Sequence, residues 1–269
     1  MKKNFLLFLA VIKTFILLTA CSTSEIKQST KIGSDGAVLV FVQAGKFTMG
    51  NEFGENDDRE LPVHTINLPS FWIDQTEVTN GMYEKCVADG ACEEPQKISS
   101  PTHASYYGNP EFKNYPVIYV NWEMAKTYCE YAGRRLPTEA EWEKSARGTD
   151  ARVYPWGNED PNKNLANYHL SNIEDATAVG TYPNGASVYG AYDMAGNVYE
   201  WVSSLYKPYP YNSEDGRENL SVSGNRVIRS GSWTMKANFF HDPISSTYRS
   251  WLDQTYTNSD LGFRCALSE

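Results

Sequence analysis

The last helical signal in this sequence ends at Gly148, and about a hundred residues dense in Gly, Pro, Asn, Asp and Tyr follow it. A compact domain holds that much irregular chain only if its loops are fastened, which points to disulfides or bound metal ions. Upstream, three helices are expected. Thr79 caps the first, which carries Met82, Tyr83, Cys86 and Val87 on one face. Asn121 begins the second, with Trp122, Ala125, Cys129 and Ala132 at helical spacing and Gly133 as its stop. The third, over 138–147, lies in the string Arg134-Arg135-Leu136-Pro137-Thr138-Glu139-Ala140-Glu141-Trp142-Glu143. Pro137 interrupts what precedes it, Thr138 caps, Glu141 reaches back to complete a capping box, and Gly148 closes the run. Strands are expected at 37–45 and 47–49 around a Gly45 turn, with Val38, Val40 and Val42 alternating, and again at 226–229. No repeat or composition break divides the chain, and 41% apolar content over 269 residues suffices for one core.

The N-terminus is expected to stand outside that core. Lys2 and Lys3 precede an apolar run over 5–18, and Leu18-Thr19-Ala20-Cys21 follows. This order describes a secretory signal over 1–20, shorter than the ~20 residues of a comfortable membrane span. A Cys after Leu-Thr-Ala resembles the bacterial lipobox, which implies acylation of Cys21 and an extracytoplasmic lipoprotein held to the cell or outer membrane by its lipid. Residues 21–35 then read as a flexible tether and 36–269 as the domain. Cleavage removes three lysines and no acids, leaving 21 basic against 33 acidic residues, a net charge of −12. That balance argues against nucleic acid as a partner, since phosphate affinity is built from Lys and Arg.

Export makes disulfides the natural reading of Cys86, Cys92, Cys129 and Cys265. Three pairings are open to four cysteines. A local Cys86–Cys92 bridge across a turn-rich loop is easily closed, which leaves Cys129 with Cys265. A zinc site would want CxxC spacing and nearby histidines, and neither is present.

Further blocks follow one another in order. Phe47-Thr48-Met49-Gly50 leads to Phe71-Trp72-Ile73-Asp74-Gln75-Thr76-Glu77-Val78-Thr79-Asn80, and Val120-Asn121-Trp122 to the Arg134–Glu143 string. Then come Tyr154-Pro155-Trp156-Gly157-Asn158, Tyr192-Asp193-Met194-Ala195-Gly196-Asn197-Val198-Tyr199-Glu200-Trp201, Arg229-Ser230-Gly231-Ser232-Trp233 and Leu261-Gly262-Phe263-Arg264-Cys265. The series resembles the formylglycine-generating enzyme (sulfatase-modifying factor) family from about Val38 to Cys265. The resemblance implies a single-domain α+β fold, related to C-type lectins and low in regular secondary structure.

The resemblance also implies a chemistry, oxygen-dependent oxidation of a sulfatase cysteine by copper(I) held between two cysteines. Soft Cu(I) selects thiolate, whereas a serine hydroxyl is hard and stays protonated near neutral pH. Aligning Tyr248-Arg249 with the family pattern puts Ser245 and Ser250 at the two cysteine positions, so a copper site is not expected. Non-haem iron relatives carry their histidines on an added helical domain. Here His64, His103, His169 and His241 are all far apart in sequence.

Two calcium sites are implied by the same resemblance. One would use the Asp193 carboxylate, the Gly196 and Val198 carbonyls and the Glu200 carboxylate, hard oxygens around a glycine turn. The other would use Asn167, the Tyr168 carbonyl, Asn172 and the Glu174 carbonyl, with Asp175 as an alternative to Asn172. Tyr248, Trp251 and Tyr256 lie where the family binds its peptide and form a candidate ligand surface. The reading is a non-catalytic, calcium-stabilised lipoprotein module for a protein or glycan. The alternatives are an oxidoreductase with an unidentified metal site and a display scaffold diversified over 234–260.

Overall fold

The three helices form where their caps place them. The computed structural model describes residues 28–51, 58–236 and 243–269. Helix α1 (Asn80–Ala88) is capped by Thr79, α2 (Trp122–Tyr131) by Asn121, and α3 (Glu139–Arg147) by Thr138 with the expected capping box. The strands are β1 (Thr30–Ile32), β2 (Val38–Val42), β3 (Gly45–Met49), β4 (His64–Leu68), β5 (Phe71–Asp74), β6 (Tyr199–Leu205), β7 (Asn225–Arg229), β8 (Ser250–Asp253), β9 (Leu261–Phe263) and β10 (Ala266–Ser268). They make an antiparallel sheet β1-β2-β5-β10, a separate β3-β4 pair, and a sheet β8-β7-β6-β9 in which β6 and β9 run parallel. Among the described residues, no helix is long and apolar enough to cross a membrane.

Two expectations need correcting. Gly45, expected as the turn between two strands, is the first residue of β3, and β2 and β3 do not pair, because β2 lies between β1 and β5 while β3 joins β4. Leu39 and Val40 point to opposite sides of β2 and both are buried, so β2 has apolar contacts on each face. The segment read as a tether over 21–35 enters the fold before its expected end. Thr30–Ile32 pairs with β2, and the buried Asp35 carboxylate accepts hydrogen bonds from Arg134 and Tyr128. A short polar stretch is ordered here because its backbone completes a sheet edge and its acid meets a buried guanidinium. The expected leader 1–20 and Cys21 lie outside the described residues.

Both expected disulfides are present. Cys86–Cys92 closes the turn after α1, and Cys129–Cys265 ties α2 to the link between β9 and β10.

The main apolar cluster packs α1 and α2 against β6 and β9 through Tyr83, Trp122, Tyr128, Trp201 and Phe263. Helix α3 sits at the centre in an unusual way: all nine of its residues are buried, five of them charged. Burying a charge is costly unless it is paired and hydrogen-bonded, so each must have a partner. Glu139 meets Arg249, Glu143 meets Arg229 and Arg147, Glu141 meets Arg135, and Lys144 donates to the Gln43 and Gly45 carbonyls. Trp142 Nε1 donates to Glu200 at 2.8 Å. The polar sequence string is therefore the hub from which the irregular half of the chain is fastened.

Candidate functional site

The segment aligned with the copper cysteines is held from inside. Arg229 donates to the Ser246 and Thr247 carbonyls at 2.7 and 3.0 Å while pairing with Glu143. Arg249, between the two serines of interest, makes a two-pronged contact with Glu139 at 2.6 and 2.8 Å. Its guanidinium also lies 4.7 Å from the Tyr206 ring and 4.0 Å from the Tyr209 ring. Ser245 is buried, and its hydroxyl accepts the Tyr248 N–H at 3.1 Å and lies 3.3 Å from the Thr247 hydroxyl. Ser250 opens β8 opposite Ile228. All four cysteines among the described residues are paired in disulfides, so none of them supplies a thiolate.

The first calcium set gathers, with a change of membership. Asp193 and Asn197 adopt φ of 55° and 57°, and Gly196 between them adopts 80°. A Cβ on Gly196 would stand 2.3 Å from the Asn167 carbonyl oxygen, so only glycine fits this turn. Asp193 and Glu200 are both buried. Glu200, however, is already engaged: Arg264 holds both of its oxygens at 2.7 Å, and Trp142 donates to one of them. Glu77, absent from the expected set, faces Asp193 instead. One Glu77 oxygen accepts from Asn197 at 2.9 Å, and the other is buried without a hydrogen-bond partner.

Burial, then the neighbouring Asp193 charge, pushes the Glu77 carboxyl well above its ordinary range. Burial likewise pushes Asp193 up to about 6, although the Gly180 N–H and Arg264 oppose the shift. When ionised, Glu77, Asp193 and Glu200 set three negative charges against the single guanidinium of Arg264. Glu77 and Asp193 are hard carboxylate donors of the type a divalent cation takes, and the unpartnered Glu77 oxygen is the one that would be free to bind it. Among the described residues, no three His, Cys, Asp or Glu side chains converge to hold a metal by themselves.

The second set is not brought together on its side chains. The Asn167 amide is buried and used up by Ser171, the Asp175 carbonyl and Asn197. Asn172 and Glu174 are exposed, and the Asn172 amide turns to the Leu170 carbonyl. Asp175 is saturated by Ser100, Thr102 and the Ala176 N–H. The Asn167 amide oxygen and both Asp175 carboxylate oxygens thus already have donors.

Of the candidate ligand surface, Trp251 and Tyr256 are exposed, whereas Tyr248 is half-buried against the main core. Trp251 stacks on Tyr206 at 4.1 Å on the edge strand β8.

Residues 23–269 match the sulfatase-modifying factor enzyme 1-like domain. The chain belongs to this family. The formylglycine-generating enzyme of Streptomyces coelicolor is 32% identical over 284 residues, covering 84% of this chain and 88% of that protein. The hercynine oxygenase of Mycolicibacterium smegmatis is 32% identical over 248 residues, covering 79% and 57%. The serine/threonine-protein kinase Pkn1 of Chlamydia trachomatis is 35% identical over 244 residues, but the match spans only 38% of its length. Among solved structures, PvdO from Pseudomonas aeruginosa superposes with a TM-score of 0.72 at 24% identity, covering 90% of this chain and 98% of that one. The family therefore contains proteins named as enzymes, and function turns on what each chain keeps at its site.

Glu77, Arg264, Arg229 and Arg249 are the residues that sequence reasoning missed. A trace was available for the arginines: a lone charge beside apolar residues, as in Phe263-Arg264-Cys265, is rarely tolerated in a core unless paired.

Proposed function

We propose that this protein is a non-catalytic binding module of the sulfatase-modifying-factor type. It is carried on an exported lipoprotein anchored through Cys21, braced by one calcium ion, and directed at a protein or glycan. The observation behind this reading is the state of the sulfur: serines occupy the aligned copper positions, and the domain's cysteines are spent in disulfides. Copper-thiolate oxidation has no ligand pair to start from at those positions. Metal analysis and oxygen uptake on the full mature chain test it. The expected result is calcium with no oxygen consumption. Stoichiometric iron or copper with oxygen uptake would favour the oxidoreductase reading suggested by the relatives named as oxygen-using enzymes.

The calcium assignment has its own expected outcome. A ligand that binds only the folded state stabilises it by about 2.7 kcal/mol at one hundred times its dissociation constant. For a domain of this size that is a rise of about 5–10 °C in melting temperature. Calcium should produce this rise in the wild type. Glu77→Gln and Asp193→Asn should each remove most of it. A wild type insensitive to calcium, or variants that respond as fully as wild type, would sink the assignment.

The display-scaffold alternative also narrows. Within 234–260, Ser245, Ser246, Thr247, Arg249 and Asp260 are buried, and Asp260 holds the Ser232 and Thr234 hydroxyls. Diversity among sibling genes would have to fall on exposed positions such as Trp251 and Tyr256.

A further inference from the structure

A cleft of about 430 Å³ opens between Pro101, Thr102, His169, Glu174, Trp233 and Thr234. Its size is that of a small-ligand site, and its walls are fixed from behind. Thr102 is tied to the buried Asp175 by its hydroxyl at 2.6 Å and its N–H at 3.2 Å. Thr234 is tied to Asp260 at 3.0 Å. Backbone bonds from His169 to Met235 and from Trp233 to Asn197 hold the other two sides.

These ties decide what the cleft can recognise. Each threonine has given its only hydroxyl proton to the polar network behind it, so toward the cleft it offers lone pairs alone. Glu174 adds a carboxylate, also an acceptor when ionised. Among the described residues its side chain takes no hydrogen bond or ion pair. Glu174 also sits at φ 60°, a conformation costly for a non-glycine residue, and such strain concentrates at binding sites. Among the described residues neither Lys nor Arg lines the cleft, and the chain carries a net charge of −9. His169 adds a ring that can donate or accept, but Glu174 and the two threonines make the lining richer in acceptors than donors, which favours a ligand that brings donors and positive charge. The flanks are Pro101 and the indole of Trp233, apolar surfaces that suit a methylene stem.

We propose that this cleft binds the side chain of an exposed lysine on a partner protein, with the ammonium group on Glu174, Thr102 and Thr234 and the stem along Trp233 and Pro101. This deepens the binding-module reading and rests on it. The test titrates acetyl-Gly-Lys-Gly-amide, its Nε-acetylated form and glucosamine against the full mature chain in detergent, followed by saturation-transfer NMR. The lysine peptide should bind at least tenfold more tightly than the acetylated one. Glu174→Gln should abolish that preference with an unchanged melting temperature, since Glu174 is exposed and unpartnered. Failure of the lysine peptide to bind, equal binding of the two peptides, or a preference that survives Glu174→Gln would overturn the proposal. Tighter binding of glucosamine would overturn it in favour of an amino sugar. Oxygen uptake is read separately. Lysine binding accompanied by oxidase activity would reject the non-catalytic reading alone, and no binding with no activity would reject the cleft alone.

Discussion

Arg249→Met is expected to destabilise the domain by about 3–5 kcal/mol, the usual cost of leaving one member of a buried ion pair without its partner. Glu139 and Arg249 are both fully buried and joined by a two-pronged contact, so truncating the arginine strands a buried carboxylate. Arg229 stands 3.5 Å from Glu139 but already serves Glu143 at 2.8 Å, so it cannot compensate alone. Urea unfolding measures the loss directly. Adding Glu139→Gln to Arg249→Met should recover part of it, because the second change removes the orphaned charge. Coupling between the two should exceed about 1 kcal/mol in a double-mutant cycle. A strictly additive pair would show that Arg249 acts through its packing between Tyr206 and Tyr209 instead.

The second large effect concerns Cys129 and Cys265. Their bridge spans a sequence separation of 136 residues, against 6 for Cys86–Cys92. Loop-closure entropy in the unfolded chain gives about 5 kcal/mol for the long bridge and about 2 kcal/mol for the short one. Replacing Cys129 and Cys265 by alanine should therefore lower the denaturation midpoint well over twice as much as the same change at Cys86 and Cys92. Both long-bridge sulfurs lie in the main apolar cluster, as does Cys86 of the short bridge, so removal leaves a cavity in either case and the contrast rests on loop length. Equal effects from the two double variants would contradict the loop-length account.

The two effects arise from parts of the fold that were unequally legible in the sequence. Helix α3 announced itself through Thr138, Glu141 and Gly148, since capping is a local code read over four or five residues. Its complete burial was hidden, because the charges on Glu139 and Glu143 look like those of a solvated face until Arg249 and Arg229 arrive, 110 and 86 residues further along the chain. The disulfides were readable because the short bridge is local and the long one is what remains. Register was not: nothing in β2 and β3 says that they enter different sheets.

At the candidate cation site, Asp193, Gly196 and Glu200 fall within one block. Glu77 comes from 120 residues earlier in the chain than the Asn197 amide it accepts from. Glu200 looks like a ligand in sequence and is an arginine partner in space. Local chemistry was legible, and the pairing of distant charges was not.

The parallel pairing of β9 with β6 and the antiparallel pairing of β10 with β5 have a consequence for how the domain is closed. The last strands of the domain, 261–268, complete both four-stranded sheets, and Cys265 lies between them. Neither sheet is complete without these residues, and their contacts with β5 and β6 are long-range in sequence, the kind of pairing that forms slowly. The two sheets thus share one short segment, 261–268, as the source of an edge strand each, and the Cys129–Cys265 bridge fixes that segment to α2.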